Sequence, residues 1–227
     1  MIKENLAQVS RTIADGVRLI AVSKTKPVED LQEAYDAGMR LFGENKALEM
    51  RDKHEVLPKD IEWHFIGHLQ TNKIKYIAGY VSLIHSIDSL NLLQAVNKEA
   101  AKHGRVIDCL LQFHIASEET KFGLDMNEAE ALLSSAEYAE LKNVRIVGVM
   151  GMATNTDDRD LIRREFRTLK GYHTQLAEKY FAGCAEFKEI SMGMSGDYEI
   201  AMQEGSTLVR VGSAIFGARN YNIPVND

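Results

Sequence analysis

Short apolar, β-branched runs recur along the chain, and between them lie longer segments whose apolar residues return every three to four positions. The runs RLIAVSK (18–24), RLFGEN (40–45), IEWHFIG (61–67), SLIHSID (82–88), VIDCLLQFHI (106–115), VRIVGVMGM (144–152), EFKEISMGM (186–194) and TLVRVGSAIFG (207–217) predict eight strands. Helical spacing marks a polar N-terminal segment over residues 2–14, then VEDLQEAYDAG (28–38), NLLQAVNKEAAKHG (91–104), EAEALLSSAEY (128–138) and DLIRREFRTLKGYHTQLAEKY (160–180). Gly38 and Gly104 stand where C-terminal caps belong, and Pro27 fits the first turn of the helix it precedes. Eight strands with intervening helices in 227 residues is the pattern of an α/β protein built as a single (β/α)8 TIM barrel, here with an extra N-terminal helix. A doubly wound open sheet is the main rival. No Pro-, Gly- or Ser-rich linker and no low-complexity tract interrupts the pattern, so residues 1–227 are expected to form one domain.

Composition narrows the partners. Hydrophobic residues make up 45% and charged ones 26%, the balance of an ordinary globular protein. The formal net charge is -6, from 27 Lys and Arg against 33 Asp and Glu, and no segment collects a basic stripe that could track a phosphate backbone. That argues against nucleic acid. No apolar run is long enough to span a bilayer, and MIKENLAQVSRTIADGV lacks the apolar centre of a signal peptide, so a cytoplasmic protein is expected. Cys109 and Cys184 have neither metal-ligand nor redox spacing and are given no chemical role.

In a barrel, functional side chains gather where the strands end, and these ends are polar. They read Ser23-Lys24, Gly43-Glu44-Asn45, Ile66-Gly67-His68, His85-Ser86, Met192 to Ser195 and Gly212-Ser213. Alternation puts Ile20, Val22 and Lys24 on one strand face, while Pro27 pushes Lys26 into a turn at the rim. Partial desolvation of Lys24 would favour its neutral amine, the form that attacks a carbonyl to make a Schiff base. Two solvated lysines at a barrel rim fit the same positions.

After the last strand, Gly212-Ser213 offers backbone amides and a hydroxyl where such barrels usually hold phosphate. Ser195 or Gly196 is expected to open a helix whose N-terminal amides attract the same anion, although Ser195 taken alone reads more readily as a plain N-cap. Arg210, two residues before Gly212, shares its face and would meet Lys24 once the last strand closes on the first. A structural ion pair with Glu44 is the other reading of Arg210. An aldehyde-capturing amine, a phosphate cradle and a guanidinium for a ring nitrogen together describe pyridoxal 5'-phosphate. His64 and His68 are set aside as a metal pair, because in a strand they stand about 13 Å apart at roughly 3.3 Å per residue. Tyr198 and Glu199 are read as solvated or capping residues.

The motifs AVSKTKP, FGEN, WHFIGHLQTNK, HSID, TKFG and MGMSGDYEIAMQEGSTLVRVGSAIFG, in that order and across nearly the whole chain, resemble the pyridoxal phosphate homeostasis proteins. That family binds its cofactor in a barrel similar to the N-terminal domain of alanine racemases. The resemblance implies that Lys24 carries a covalent aldimine with pyridoxal 5'-phosphate, with Lys26 as the neighbouring second lysine. It implies further that Asn45 lies beside the cofactor, that Ser195, Gly212 and Ser213 contact the phosphate, and that Arg210 faces the pyridine nitrogen. Lys46 departs from the tyrosine or arginine that many relatives carry after FGEN.

The implied function is non-enzymatic: intracellular homeostasis of pyridoxal 5'-phosphate, held as a reversible lysine aldimine, with apoenzymes that need the cofactor as recipients. A guanidinium against the ring nitrogen weakens the ring as an electron sink, and the chain ends soon after the barrel, where alanine racemases continue into a second domain. A weak amino-acid racemase, a cofactor-free Schiff-base aldolase acting on a phosphosugar and a pure protein-interaction role are the alternatives. Monomer and weak homodimer both remain open.

Overall fold

The computed structural model describes residues 1–119 and 122–218; Thr120 and Lys121 of the TKFG motif lie outside them. Eight parallel strands follow one another around a closed barrel: β1 (Arg18–Val22), β2 (Leu41–Glu44), β3 (Glu62–Phe65), β4 (Leu83–Ile87), β5 (Ile107–Phe113), β6 (Val144–Gly151), β7 (Glu189–Met194) and β8 (Leu208–Val211). Closure is made by β8 against β1, with Arg18 opposite Leu208 and Ala21 opposite Val211. The open-sheet alternative is thereby excluded.

The helices are α1 (Ile2–Thr12), α2 (Val28–Asp36), α3 (Ala47–Val56), α4 (Leu90–Lys102), α5 (Met126–Ser134), α6 (Ala136–Ala139), α7 (Arg159–Tyr180), α8 (Tyr198–Gln203) and α9 (Ser213–Phe216), with a 3₁₀ turn over Thr71–Tyr76. Gly38 and Gly104 follow the ends of α2 and α4 with φ of +102° and +61°, as their cap positions predict. Pro27 stands one residue earlier than expected, at the N-cap of α2. EAEALLSSAEY is two helices rather than one, because Ser135 is extended and its hydroxyl accepts from the Tyr138 amide, restarting the helix as α6. The last predicted strand is shorter than its sequence run: pairing stops at Val211 and Ser213–Phe216 turns into α9. Among the described residues no helix is long and apolar enough to cross a membrane.

Strand alternation sorts the core into two layers. Phe42, Phe65, Ile84, Cys109, Ile190 and Val209 face outward and pack under the helices. Burial pushes the Cys109 thiol well above its ordinary range. Ile20, Leu41, Leu83, Leu110, Val147 and Leu208 fill the barrel interior as a separate apolar plug. Two residues along from Leu83 and Leu208 come His85 and Arg210, also inward, and His64 and Ser191 join them from β3 and β7. This buried polar group runs from the C-terminal mouth down through the plug, with His64 level with Leu83. Tyr198 belongs to the core rather than to solvent: it is buried, and its hydroxyl meets Thr12 Oγ1 at 2.8 Å, tying α8 to α1.

Candidate functional site

At the C-terminal mouth a cavity of about 400 Å³ is lined by Lys24, Lys26, Asn45, Ser195, Arg210, Gly212 and Ser213, among others. All six residues singled out for the cofactor therefore meet in one space, within the usual size range of small-molecule sites. Its apolar wall was not legible in advance. Val22, Ile66, Met152 and Met194 come from four strands or their ends, and Phe122 stacks on His68 at 4.4 Å. Gln112 completes the lining and donates to the Phe122 carbonyl at 3.2 Å.

Lys24 leaves β1 on the inward face and is half-buried. The turn after it is built by Thr25, the one non-glycine with positive φ (+63°) among the described residues. Such a conformation costs a β-branched residue and persists only when its surroundings hold it. Here Glu49 accepts from the Thr25 amide at 2.6 Å, and Lys26 closes the turn by donating its amide to the Ser23 carbonyl at 3.1 Å. The Lys26 ammonium then reaches the carbonyls of Phe216, Gly217 and Ala218 at 3.0, 3.2 and 2.7 Å, capping the C-terminus of α9.

Behind the turn sits a buried charge cluster. Lys53 of α3 donates to Glu44 Oε1 at 2.6 Å, Glu49 Oε1 at 2.7 Å and the Ser23 carbonyl at 2.8 Å, and the Ser23 hydroxyl donates to Glu44 at 2.6 Å. Two carboxylates share one ammonium, and burial raises the Glu44 carboxyl to about 7 against the pull of Lys53. Glu44 points away from the barrel interior, so the ion pair with Arg210 considered above does not form.

Two glycines admit their neighbours. A Cβ on Gly67 would lie 2.5 Å from both Cβ and the carbonyl oxygen of Asn45, so only glycine lets the strand-three loop pass behind that side chain. A Cβ on Gly212 would lie 3.1 Å from the Val22 carbonyl, where β8 turns beside β1. The Gly212 amide donates to Ser195 Oγ at 3.2 Å, which brings the two proposed phosphate contacts together. The expectation that Ser195 or Gly196 opens a helix is corrected: residues 195–197 form a turn, Asp197 is the N-cap, and α8 begins at Tyr198. Asp197 Oδ1 accepts from the Met194 amide at 2.6 Å, and that bond sets the turn.

Arg210 is 4% exposed. Its guanidinium donates to Ser191 Oγ at 2.8 Å, to the Ser191 carbonyl at 3.4 Å and to the Gly151 carbonyl at 3.1 Å. Among the described residues no carboxylate stands at ion-pair distance from it. Burial lowers it to about 10, partly offset by Asp197, so it remains a cation at neutral pH.

The family model described as alanine racemase, N-terminal domain matches residues 1–220, nearly the whole of this parallel barrel. The alanine racemase of Bartonella henselae shares the fold, with a TM-score of 0.74 at 18% identity, over 98% of this chain and 63% of its own. A relative from Aquifex aeolicus named pyridoxal phosphate homeostasis protein is 41% identical over 206 residues, 90% of this chain and 88% of its own. The Escherichia coli K12 protein of that name is 36% identical over 97% of this chain and 98% of its own. PipY of Synechococcus elongatus, solved with PLP bound, superposes with a TM-score of 0.85 at 33% identity, covering 96% of this chain and all of its own. The chain belongs to the pyridoxal phosphate homeostasis protein family.

Proposed function

We propose that the protein binds pyridoxal 5'-phosphate at the barrel mouth and acts as its carrier in cofactor homeostasis rather than as an amino-acid-transforming enzyme. The observation that carries this reading is Arg210. A buried guanidinium with no carboxylate at ion-pair distance among the described residues, and only partly offset by Asp197, is costly unless a ligand completes it. A phosphorylated ring whose nitrogen accepts a hydrogen bond supplies both the acceptor and the negative charge. The donors around Arg210 match the rest of that molecule: an amine at Lys24, and the hydroxyls of Ser195 and Ser213, with the Gly212 amide donating to Ser195 Oγ. Asn45 is assigned to the side of the ring. PipY, solved with PLP bound, supports the assignment by likeness.

The cofactor brings an aldehyde that a neutral amine can capture reversibly. Lys24 would hold that aldehyde by condensation with loss of water; hydrolysis would return the aldehyde, whereas exchange would pass it to another amine as that amine's imine and free Lys24. A fixed guanidinium opposes protonation of the ring nitrogen by like-charge repulsion, which weakens the ring as an electron sink. Apoenzymes that need the cofactor are the recipients in this reading.

The test is a visible absorption spectrum of the protein with pyridoxal 5'-phosphate, before and after borohydride reduction, followed by mass mapping. A reducible band and a label on Lys24 are expected. No band, or a label on another lysine, overturns the assignment.

A further inference from the structure

Three buried side chains below Arg210 have no part in that reading. Ser191 Oγ, which accepts from Arg210, lies 2.8 Å from His85 Nδ1, and His85 Nε2 lies 2.9 Å from His64 Nδ1. Ser191 and His85 are fully buried and His64 is 1% exposed. His64 also lines a cleft of about 590 Å³ on the opposite face of the barrel, with Arg18, Glu62, Asp108 and Arg145 from the strand N-termini. The four side chains thus cross the interior from one mouth towards the other.

Counting protons fixes the direction. Guanidinium has no acceptor, so Arg210 donates and Ser191 accepts. If Ser191 also accepted from His85, its own hydroxyl proton would be left without an acceptor in a fully buried site, which native interiors avoid. The hydroxyl therefore donates to His85 Nδ1. His85 then carries its proton on Nε2 and donates to His64 Nδ1, and His64 carries its proton on Nε2, the atom left for the cleft.

We propose that His85 and Ser191 are positioning residues for Arg210, and that with His64 they form a one-way hydrogen-bonded chain, each member donating away from the cavity towards the opposite face. The chain makes Ser191 a better acceptor, because a hydroxyl that donates is polarised to accept, and it holds the guanidinium where the ligand meets it. Protonating either histidine would reverse a bond in the chain. The surroundings resist that: burial first, then Arg18, lowers His64 to about 3, while burial followed by His64, Arg210 and Arg18 lowers His85 well below its ordinary value. The carboxylates at the cleft are engaged elsewhere: Glu62 with Arg18 at 3.5 Å, Asp108 with Arg145 at 2.8 Å, Glu189 with the Thr207 hydroxyl at 2.6 Å and Glu186 with the Cys184 thiol at 3.4 Å.

The ligand arm of the test rests on the reading of the cavity as a pyridoxal phosphate site; the other arm does not. In ligand-free protein labelled with ¹⁵N-histidine, His64 and His85, assigned through His64→Gln and His85→Gln, should both show the neutral Nε2–H tautomer and no titration between pH 5 and 8. An Nδ1–H tautomer at His85, or titration of either ring in that range, overturns the chain. With pyridoxal 5'-phosphate added, Ser191→Ala should move the visible band and weaken binding by about tenfold or more, through a guanidinium left without its hydroxyl acceptor. Ser191→Thr, which keeps the hydroxyl, should restore both. A folded Ser191→Ala with an unchanged band and affinity overturns the positioning role. If wild type itself shows no band, the reading of the cavity falls, and the chain is decided by the ligand-free spectra.

Discussion

Lys24 and Lys26 are two positions apart and do different work. Lys24 faces the cavity, whereas the Lys26 ammonium is spent on three carbonyls at the end of α9. Lys24→Ala should abolish borohydride labelling while thermal melting stays near that of wild type, since a half-buried rim lysine adds little to the core. Lys26→Ala should keep the label on Lys24 but lower stability by about 1 kcal/mol, the worth of hydrogen bonds at a partly exposed cap. Equal loss of labelling in both variants would show that the lysines share the chemistry. Changing Ser195 and Ser213 together to alanine should weaken retention of the cofactor, each lost bond to a charged group being worth about 1.5–3 kcal/mol. Equilibrium titration measures this, and unchanged affinity would place the phosphate elsewhere. The residues of the candidate site were legible because each ends a strand run and carries a distinctive group. The chain of His64, His85 and Ser191 was not, since its members come from three strands and only the closed barrel makes them neighbours.

Among the elements, α3 shows why periodicity can miss a helix. Its buried face is Ala47, Met50 and Lys53, and a lysine in the third place breaks the apolar pattern that marks an amphipathic helix. The lysine faces inward because Glu44 and Glu49 await it, a pairing visible only once β2 and α3 are packed. Lys53→Met should cost about 3–5 kcal/mol by stranding two buried carboxylates, and should loosen the Thr25 turn and with it Lys24. Urea denaturation measures the first effect and the rate of borohydride labelling the second. Glu44 adds a pH dependence. Its folded value, about 7, lies above the ordinary 4.5, so between those limits the folded state holds more protons than the unfolded one. Its contribution to stability therefore falls as pH rises from about 4.5 to about 7 and then levels off. Glu44→Gln removes that slope, so its stability relative to wild type should be more favourable at pH 8 than at pH 5. A relative stability that stays the same between pH 5 and 8 would mean that Glu44 is ionised throughout.

For the molecule as a whole, the eightfold alternation of β-branched runs and helical segments was enough to read the barrel, while its lining, set by which residues turn inward at each strand end, was not. The carrier reading makes a prediction at this scale. Deuterium exchange at the α-carbon of a panel of amino acids should be negligible for the wild-type protein with its cofactor, because the Arg210 guanidinium opposes the protonated ring. Turnover in the ordinary enzyme range, about 1 to 10³ per second, would instead make it a racemase. The closure of β8 on β1 has a consequence for how the protein is made. Arg18 pairs with Leu208, and Lys26 holds the Phe216 carbonyl across a sequence separation of 190 residues. A ribosome delivers the N-terminal part first, at about 5–20 residues per second, so β1 waits many seconds for the strand that completes its edge. Over that interval Lys24 has neither Arg210 nor Gly212 and Ser213 beside it. Nascent chains stalled short of β8 should therefore fail to retain pyridoxal 5'-phosphate on a ribosome-bound assay, and capture of the aldehyde would report that synthesis has finished.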